Sequence, residues 1–308
     1  MNVVTASLLS LLGLVLLSFG ADRLVRSSSR LAMQLGVSPL VVGLTLVAYG
    51  TSAPEIVASV IATLEGHADV AIGNILGSNV ANLGLILGST AILATVLVAP
   101  AVLRRELPLM VGVTLLFALL CFRLELGRTT GLLFLGLLVG INYFSFRWAE
   151  RTGPSGVERP AGSLAMNLLW IVLGLGLLLG GAHLLVSSAV RLARTLEVPE
   201  LVIGITVVAV GTSVPEFATS IVAGLRKEAD LVVGNIVGSN LFNVLGALGL
   251  SAAIRPIQVD SSLLGFEVPA LVAMTLLTTV FLYTGRRLVR WEGIVLFACY
   301  VGFLAVVL

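Results

Sequence analysis

Charge is scarce in this chain: Asp, Glu, Lys and Arg make up 11% of its 308 residues, against about 25% in a typical soluble domain. The charges that remain nearly cancel, at a formal +2, and form no basic block. Nothing in the charge pattern therefore points to nucleic-acid binding. Cysteine and histidine are scarcer still. Cys121 and Cys299 both lie in or beside apolar runs, so neither a disulfide framework nor a zinc spacing can be built, and they read as small packing residues. Long polar segments are also missing. The longest connection, Arg147–Ser163, contains Gly153-Pro154 and Arg159-Pro160 and is too short for a regulatory domain.

What is abundant is apolar surface: 58% hydrophobic residues and a mean hydropathy of +1.11. Runs of roughly 20 residues, long enough to cross a bilayer, recur along the whole length. Apolar runs and charged punctuation predict helices near 3–21, 38–64, 70–96, 107–122, 130–147, 164–190, 199–225, 231–254, 264–283 and 290–307, the first and sixth extendable to about 32 and 194. The run from Val3 to Leu17 has no basic segment before it and no small-residue cleavage site before Asp22, so it reads as the first helix. The expected fold class is an all-α membrane protein with about ten transmembrane helices.

The chain also repeats itself. Residues 20–88 align with 181–249 without a gap at an offset of 161, with 35 identities in 69 pairs. The first copy carries GTSAPE at Gly50–Glu55 and GNILGSNVAN at Gly73–Asn82; the second carries GTSVPE at Gly211–Glu216 and GNIVGSNLFN at Gly234–Asn243. Glu106-Leu107-Pro108 and Glu267-Val268-Pro269 extend the match. The organisation that follows is a five-helix repeat over 1–150, a linker over 151–163 and a second five-helix repeat over 164–308.

Five helices separate equivalent positions, an odd number, so the two repeats enter the membrane from opposite sides. With the N-terminus outside, 13 of the 18 Lys and Arg residues fall on the side of the central linker; Arg123, Arg128, Arg191, Arg194 and Arg255 fall on the other. The positive-inside rule then puts both termini outside and the linker in the cytoplasm. Inverted repeats are a recurring plan of secondary transporters, with the site near the midplane where the repeats meet.

The polar residues of the repeats have a definite chemistry. On the second helix Thr51 and Ser52 precede Glu55 by four and three residues, so the three side chains share a face. Pro54 has no N–H and crowds the Gly50 carbonyl, which predicts an unwound turn whose freed carbonyls, that of Ala48 included, line a cavity. Ala209, Thr212, Ser213, Pro215 and Glu216 repeat this on the seventh helix. On the third helix Asn74, Ser78 and Asn82 form one stripe, with Gly73 and Gly77 spaced for close helix approach. Asn235, Ser239, Asn243, Gly234 and Gly238 repeat it on the eighth. A central ionisable residue costs at least ~2.5–3.5 kcal/mol on insertion scales, so two matched glutamates mark a functional site. An all-oxygen donor set suits hard cations and selects against zinc or copper.

The remaining polar residues read as structural. His67 belongs to a solvated loop with Glu65 and Asp69, and His183, aligned with Asp22, to a local helix-end hydrogen bond. Glu106 and Glu267 sit at helix starts, where a carboxylate favours the dipole. Trp148, Trp170 and Trp291 are interfacial anchors.

At the doubled motifs the chain resembles the sodium/calcium exchangers of the cation/calcium exchanger superfamily, prokaryotic type, whose repeats carry GTSxPE on one helix and a GNxxGSNxxN-like segment on the next. The resemblance implies that Ala48 (through its carbonyl), Thr51, Ser52, Glu55, Ser78 and Asn82 line the ion sites from the first repeat. Ala209 (carbonyl), Thr212, Ser213, Glu216, Ser239 and Asn243 do so from the second. It implies that Na⁺ ions or one Ca²⁺ occupy the cluster and that the first and sixth helices slide across the rest of the bundle. Some members carry Asp where this chain has Asn243; Asn keeps an oxygen and removes a charge, which argues against potassium co-transport and leaves the Na⁺ stoichiometry open.

The expected function is an electrogenic Na⁺/Ca²⁺ antiporter of a prokaryotic inner membrane, not an enzyme, with no cofactor, no nucleic-acid partner and no obligate protein partner. An H⁺/Ca²⁺ exchanger is the nearest alternative, since a buried Glu can carry a proton. A cation channel would use similar oxygens, but inverted repeats around a single cluster favour alternating access. An intramembrane protease with an acid pair lacks any accompanying cleavage motif.

Overall fold

The computed structural model describes residues 3–152, 163–195 and 211–307. The helices are α1 (Val3–Leu35), α2 (Pro39–Thr51) and α3 (Ala53–Glu65), α4 (68–93), α5 (102–121), α6 (Arg128–Thr152) and α7 (Leu164–Thr195). They continue with α8 (Val214–Leu225), α9 (Ala229–Ile254), α10 (Glu267–Gly285) and α11 (Arg290–Val307). Seven of the described helices are long and apolar enough to cross a membrane, and the bent pair α2–α3 makes an eighth. α5 and the shorter α8 stand where the remaining two spans are expected. Residues 199–210 of the seventh expected span, and 153–162 of the linker, lie outside the described residues.

Two boundaries are instructive: the first helix takes the extended form allowed for it, and the fourth expected helix starts earlier than its apolar run. α1 runs through its charged stretch to Leu35 because Leu24, Val25, Leu31 and Ala32 stay buried between the charges. An apolar-run criterion stops at Asp22, whereas the buried face does not. α5 begins before Glu106, with a π-helical turn over Val102–Glu106. Glu106 therefore lies inside a helix, buried and making no capping bond, rather than at a helix start. Glu267 does occupy the first turn of α10.

Four two-residue strands were not legible in the sequence. β1 (Val96–Leu97) pairs antiparallel with β4 (Arg287–Leu288), and β2 (Glu125–Leu126) with β3 (Ile257–Gln258). Val96 and Ile257 are equivalent at the offset of 161, so each ribbon joins one repeat to the other. β1 and β2 flank α5, about 30 Å long at 1.5 Å per residue, which places the ribbons at opposite ends of the bundle. This is the inversion of the repeats seen in the backbone. Beside β3, Asp260 accepts the Ser262 N–H at 2.8 Å, which holds its carboxyl below the usual carboxylate range.

α1 and α7 lie antiparallel and almost in backbone contact. A Cβ on Gly20 would fall 2.5 Å from the Leu178 nitrogen, and one on Gly181 2.5 Å from the Leu17 nitrogen. Gly13 meets Gly181 and Gly174 meets Gly20 in the same way. The four glycines are two positions of the repeat, 13/174 and 20/181. In hydrocarbon, where van der Waals packing rather than hydrophobic exclusion associates helices, such small residues permit the contact. Asp22 and His183, equivalent in sequence, consequently lie on opposite sides of this crossing.

Candidate ion-binding site

The site is built where α2 breaks into α3 and where α8 begins. Ser52 has φ −82°, ψ 6° and Ser213 φ −88°, ψ 5°, a bridge conformation that interrupts the helix. α2 and α3 meet at 46°. Pro54 and Pro215 stand in the first turn of the helix that follows, where a missing N–H costs nothing. Glu55 and Glu216 share that first turn, at the electropositive end of the helix dipole. The break is confined to one residue. The Ala48 carbonyl accepts the Ser52 N–H at 2.9 Å, so it remains in the helical ladder and is not freed as the motif alone suggests. Ala209 lies outside the described residues.

Each carboxylate is held by a serine of the other repeat. Ser52 Oγ donates to Glu216 Oε1 at 2.9 Å and lies 2.9 Å from Ser239 Oγ. Ser213 Oγ donates to Glu55 Oε1 at 3.3 Å and lies 3.5 Å from Ser78 Oγ. A hydroxyl has a single proton, so when Ser52 donates to Glu216 the Ser239 hydroxyl donates to Ser52. These bonds gather Ser52, Glu55, Ser78, Ser213, Glu216 and Ser239, and Thr51, Asn82 and Asn243 are likewise buried. Thr212 faces a cavity of about 420 Å³ between α7 and the α2–α3 break that His183 also lines. His183 is exposed and lies well inside α7, not at a helix end, because α7 continues to Thr195.

The decisive feature is what these groups lack. Glu55 Oε2, Glu216 Oε2, Asn82 Oδ1 and Asn243 Oδ1 are buried without any hydrogen-bond partner. A buried unsatisfied acceptor costs about 1–3 kcal/mol, more when charged. Here four occur in repeat-related pairs, all of them oxygens. One hard cation or a small set of them answers that arrangement, with oxygen ligands throughout.

A surrounding frame of amides positions the cluster, and the ligand set read from the motifs leaves most of it out. Asn74 Nδ2 donates to the Glu55 carbonyl at 3.3 Å and to Ser59 Oγ at 3.0 Å. Asn235 Nδ2 donates to Ser220 Oγ at 3.0 Å, and Asn235 Oδ1 accepts from Thr51 at 3.3 Å. Asn79 and Asn240 lie between the repeats. A signal for all of them exists: positions 59/220, 74/235 and 79/240 are identical in the two copies. Close approach of α9 to α2 sets the depth of the site. A Cβ on Gly234 would lie 2.7 Å from the Leu40 carbonyl, and one on Gly238 2.6 Å from that of Leu44. The residues equivalent to these α2 contacts fall in 201–209, outside the described residues. At Asn82 and at Asn243 the helix passes into a π-helical stretch, Asn82–Leu87 and Asn243–Leu248, a local widening frequent at functional sites.

The family model for the sodium/calcium exchanger protein matches residues 5–147 and again residues 166–308. The chain belongs to the sodium/calcium exchanger family. This exchanger is 40% identical to the putative antiporter CaxA of Alkalimonas amylolytica, over 98% of each chain. It is 34% identical to the sodium/calcium exchanger MaX1 of Methanosarcina acetivorans, over 97% of each. Among solved structures, the sodium-calcium exchanger NCX_Mj soaked with Na⁺ and Ca²⁺ superposes with a TM-score of 0.88 at 30% identity, covering 99% of both chains. The exchanger is a membrane transporter with two inverted repeats, and not an enzyme.

Proposed function

We propose that the exchanger moves Na⁺ against Ca²⁺ through a single cluster at the junction of the repeats, by alternating access. The observation that carries this reading is the set of four unpartnered buried oxygens on Glu55, Glu216, Asn82 and Asn243. The serines that cross between the repeats support it. Two carboxylates neutralise one Ca²⁺ or two Na⁺, and a third Na⁺ leaves the occupied site at +1. Each ion set competes for the same oxygens, so binding of one excludes the other, and that exclusion is the coupling. An empty cluster leaves two uncompensated carboxylates in low dielectric, a state that resists passage of the gate helices α1 and α7 across it. The relatives named sodium/calcium exchanger and sodium-calcium exchanger favour Na⁺ as the counter-ion.

The charge count orients the molecule. The β1/β4 end and the linker, 151–163, face the cytoplasm, both termini face outward, and the repeats occupy 1–150 and 164–308. A relative from Escherichia coli, 40% identical over 83% of this chain, is named an inner membrane protein, in keeping with placement in a prokaryotic inner membrane. In this orientation the cavity lined by His183 and Thr212 belongs to the outer half, so the conformation is outward-facing.

The test is Ca²⁺ uptake into proteoliposomes loaded with Na⁺, with and without a clamped voltage. Uptake that follows the outward Na⁺ gradient is expected, with a voltage dependence that reports the stoichiometry. Uptake driven by a pH gradient and indifferent to Na⁺ would replace this reading by H⁺/Ca²⁺ exchange. Downhill Ca²⁺ flux that needs no counter-ion would make the protein a channel.

A further inference from the structure

An amide side chain is nearly symmetrical in shape, and its oxygen and nitrogen ends bind opposite partners. Which end of Asn243 faces the cluster is therefore a chemical question that packing alone does not answer. A chain of three groups answers it. The Asn240 backbone carbonyl can only accept, so the Asn79 side chain turns its Nδ2 toward it, at 3.4 Å. That turns Asn79 Oδ1 the other way, where it accepts from Asn243 Nδ2 at 3.0 Å. With its nitrogen committed, Asn243 has only Oδ1 left to present, and that oxygen is buried and unpartnered. We propose that Asn79 is a positioning residue for ion selectivity: it fixes the polarity of the Asn243 amide so that oxygen, not N–H, faces the transported cation. The inference rests on the site assigned above.

The relay belongs to one side only. The repeat equivalent of Asn79, Asn240, spends its Nδ2 on the Ile236 carbonyl of its own helix, at 2.8 Å. Its backbone carbonyl, not its side chain, is what orients the relay. Asn79 reaches from the first repeat into the second. The second repeat's neutral ligand is thus set by the first repeat, as its carboxylate Glu216 is by Ser52. A polarity error would matter more here than at a hydroxyl ligand. A serine rotates freely to offer a lone pair, whereas a flipped amide points two N–H dipoles at a cation.

The experiment is a double-mutant cycle on the full-length, detergent-purified exchanger, read as apparent affinity for Ca²⁺ in the absence of Na⁺ and for Na⁺ in the absence of Ca²⁺. Asn79→Leu, which keeps the volume and removes both polar ends, should weaken binding by about 10–100-fold, the range found for groups that orient metal ligands. Asn243→Ala should cost at least as much. In the Asn243→Ala background, Asn79→Leu should cost less than about twofold further, because the group it positions is gone. Asn79→Ser is the second variant if Asn79→Leu does not yield folded protein. Its hydroxyl can bond in either direction, so it should lose less than Asn79→Leu and become silent on the same background. Equal losses in the presence and absence of Asn243 would show a merely structural role and overturn the proposal, as would unchanged affinity in Asn79→Leu. If Asn243→Ala itself leaves both affinities unchanged, the site assignment fails, and the relay with it.

Discussion

At one end of the α1–α7 pair, Asp22 of α1 accepts a charged hydrogen bond from Arg226, in the turn after α8. Arg26 adds a second contact to Asp22 at 3.1 Å, and Ser29 binds Glu228 at 3.1 Å. At the other end the equivalent residues are His183 on α7 and Glu65 at the end of α3, the same pair of positions with the acidic and the basic residue exchanged. There His183 lines the 420 Å³ cavity. Equivalent elements are latched at one end of the molecule and parted at the other. Between the two ends the repeats agree closely, with matched carboxylates, matched serines and matched orphan oxygens. Symmetry resides in these groups, and asymmetry in the relay behind Asn243 and in the conformational state around the site. That division is what alternating access requires: one set of ligands, reached in turn from two ends that cannot both be open.

The largest expected effect tests the symmetric centre. Glu55→Gln and Glu216→Gln should each abolish Na⁺-dependent Ca²⁺ uptake, a loss of at least about 100-fold or ~2.7 kcal/mol in the binding of the ion set. Folding should be preserved, since Gln keeps the volume and one acceptor for Ser213 or Ser52. Both variants should fail equally. Near-normal exchange by either one in proteoliposomes would break the equivalence of the repeats and sink the site assignment.

The centre was also the part most legible in the sequence. Polar residues inside apolar runs are expensive, so their coincidence at a fixed offset has few explanations. Thr51, Ser52, Glu55 and their counterparts could be picked out for that reason. The ends were not legible, because their contacts are made between positions far apart in the chain. Asp22 and Arg226 lie 204 residues apart, and nothing in either local sequence announces the other. The ribbons β1/β4 and β2/β3 escaped for a different reason: two-residue strands have no periodicity to detect. Asn79 was legible as a repeat-identical residue but not as a relay. Its role depends on a backbone carbonyl, and the sequence does not show where that carbonyl points.

The next effect, in order of size, opens the latched end. Arg226 and Asp22 are about a third and a quarter exposed, and pairs of this kind contribute up to about 1 kcal/mol. Arg226→Ala should therefore shift the balance of states by no more than roughly fivefold toward the cytoplasm-open form. Val57, which lines the 420 Å³ cavity on the outer side in the proposed orientation, supplies the readout. In a Cys299→Ser background, labelling of Val57→Cys by an impermeant thiol reagent added outside should fall, by at most that factor. Unchanged labelling would mean that Asp22–Arg226 does not hold the inner end closed.

The smallest effect concerns the end that is parted. If the two states exchange the roles of the repeats, closing the outer end brings His183 toward Glu65 as Asp22 now meets Arg226. Neither side chain is buried, so in the present state their contribution is screened by water. Glu65→Ala should then leave the stability of this state alone and weaken only its counterpart, raising external labelling of Val57→Cys by less than about twofold. Combined with Arg226→Ala, it should bring labelling back toward the parent level, because the two changes remove latches from opposite states. A fall in labelling on Glu65→Ala alone would show that the two ends are not counterparts. The sign of the change, more than its size, is informative: repeat-equivalent positions that act on opposite states must move the equilibrium in opposite directions.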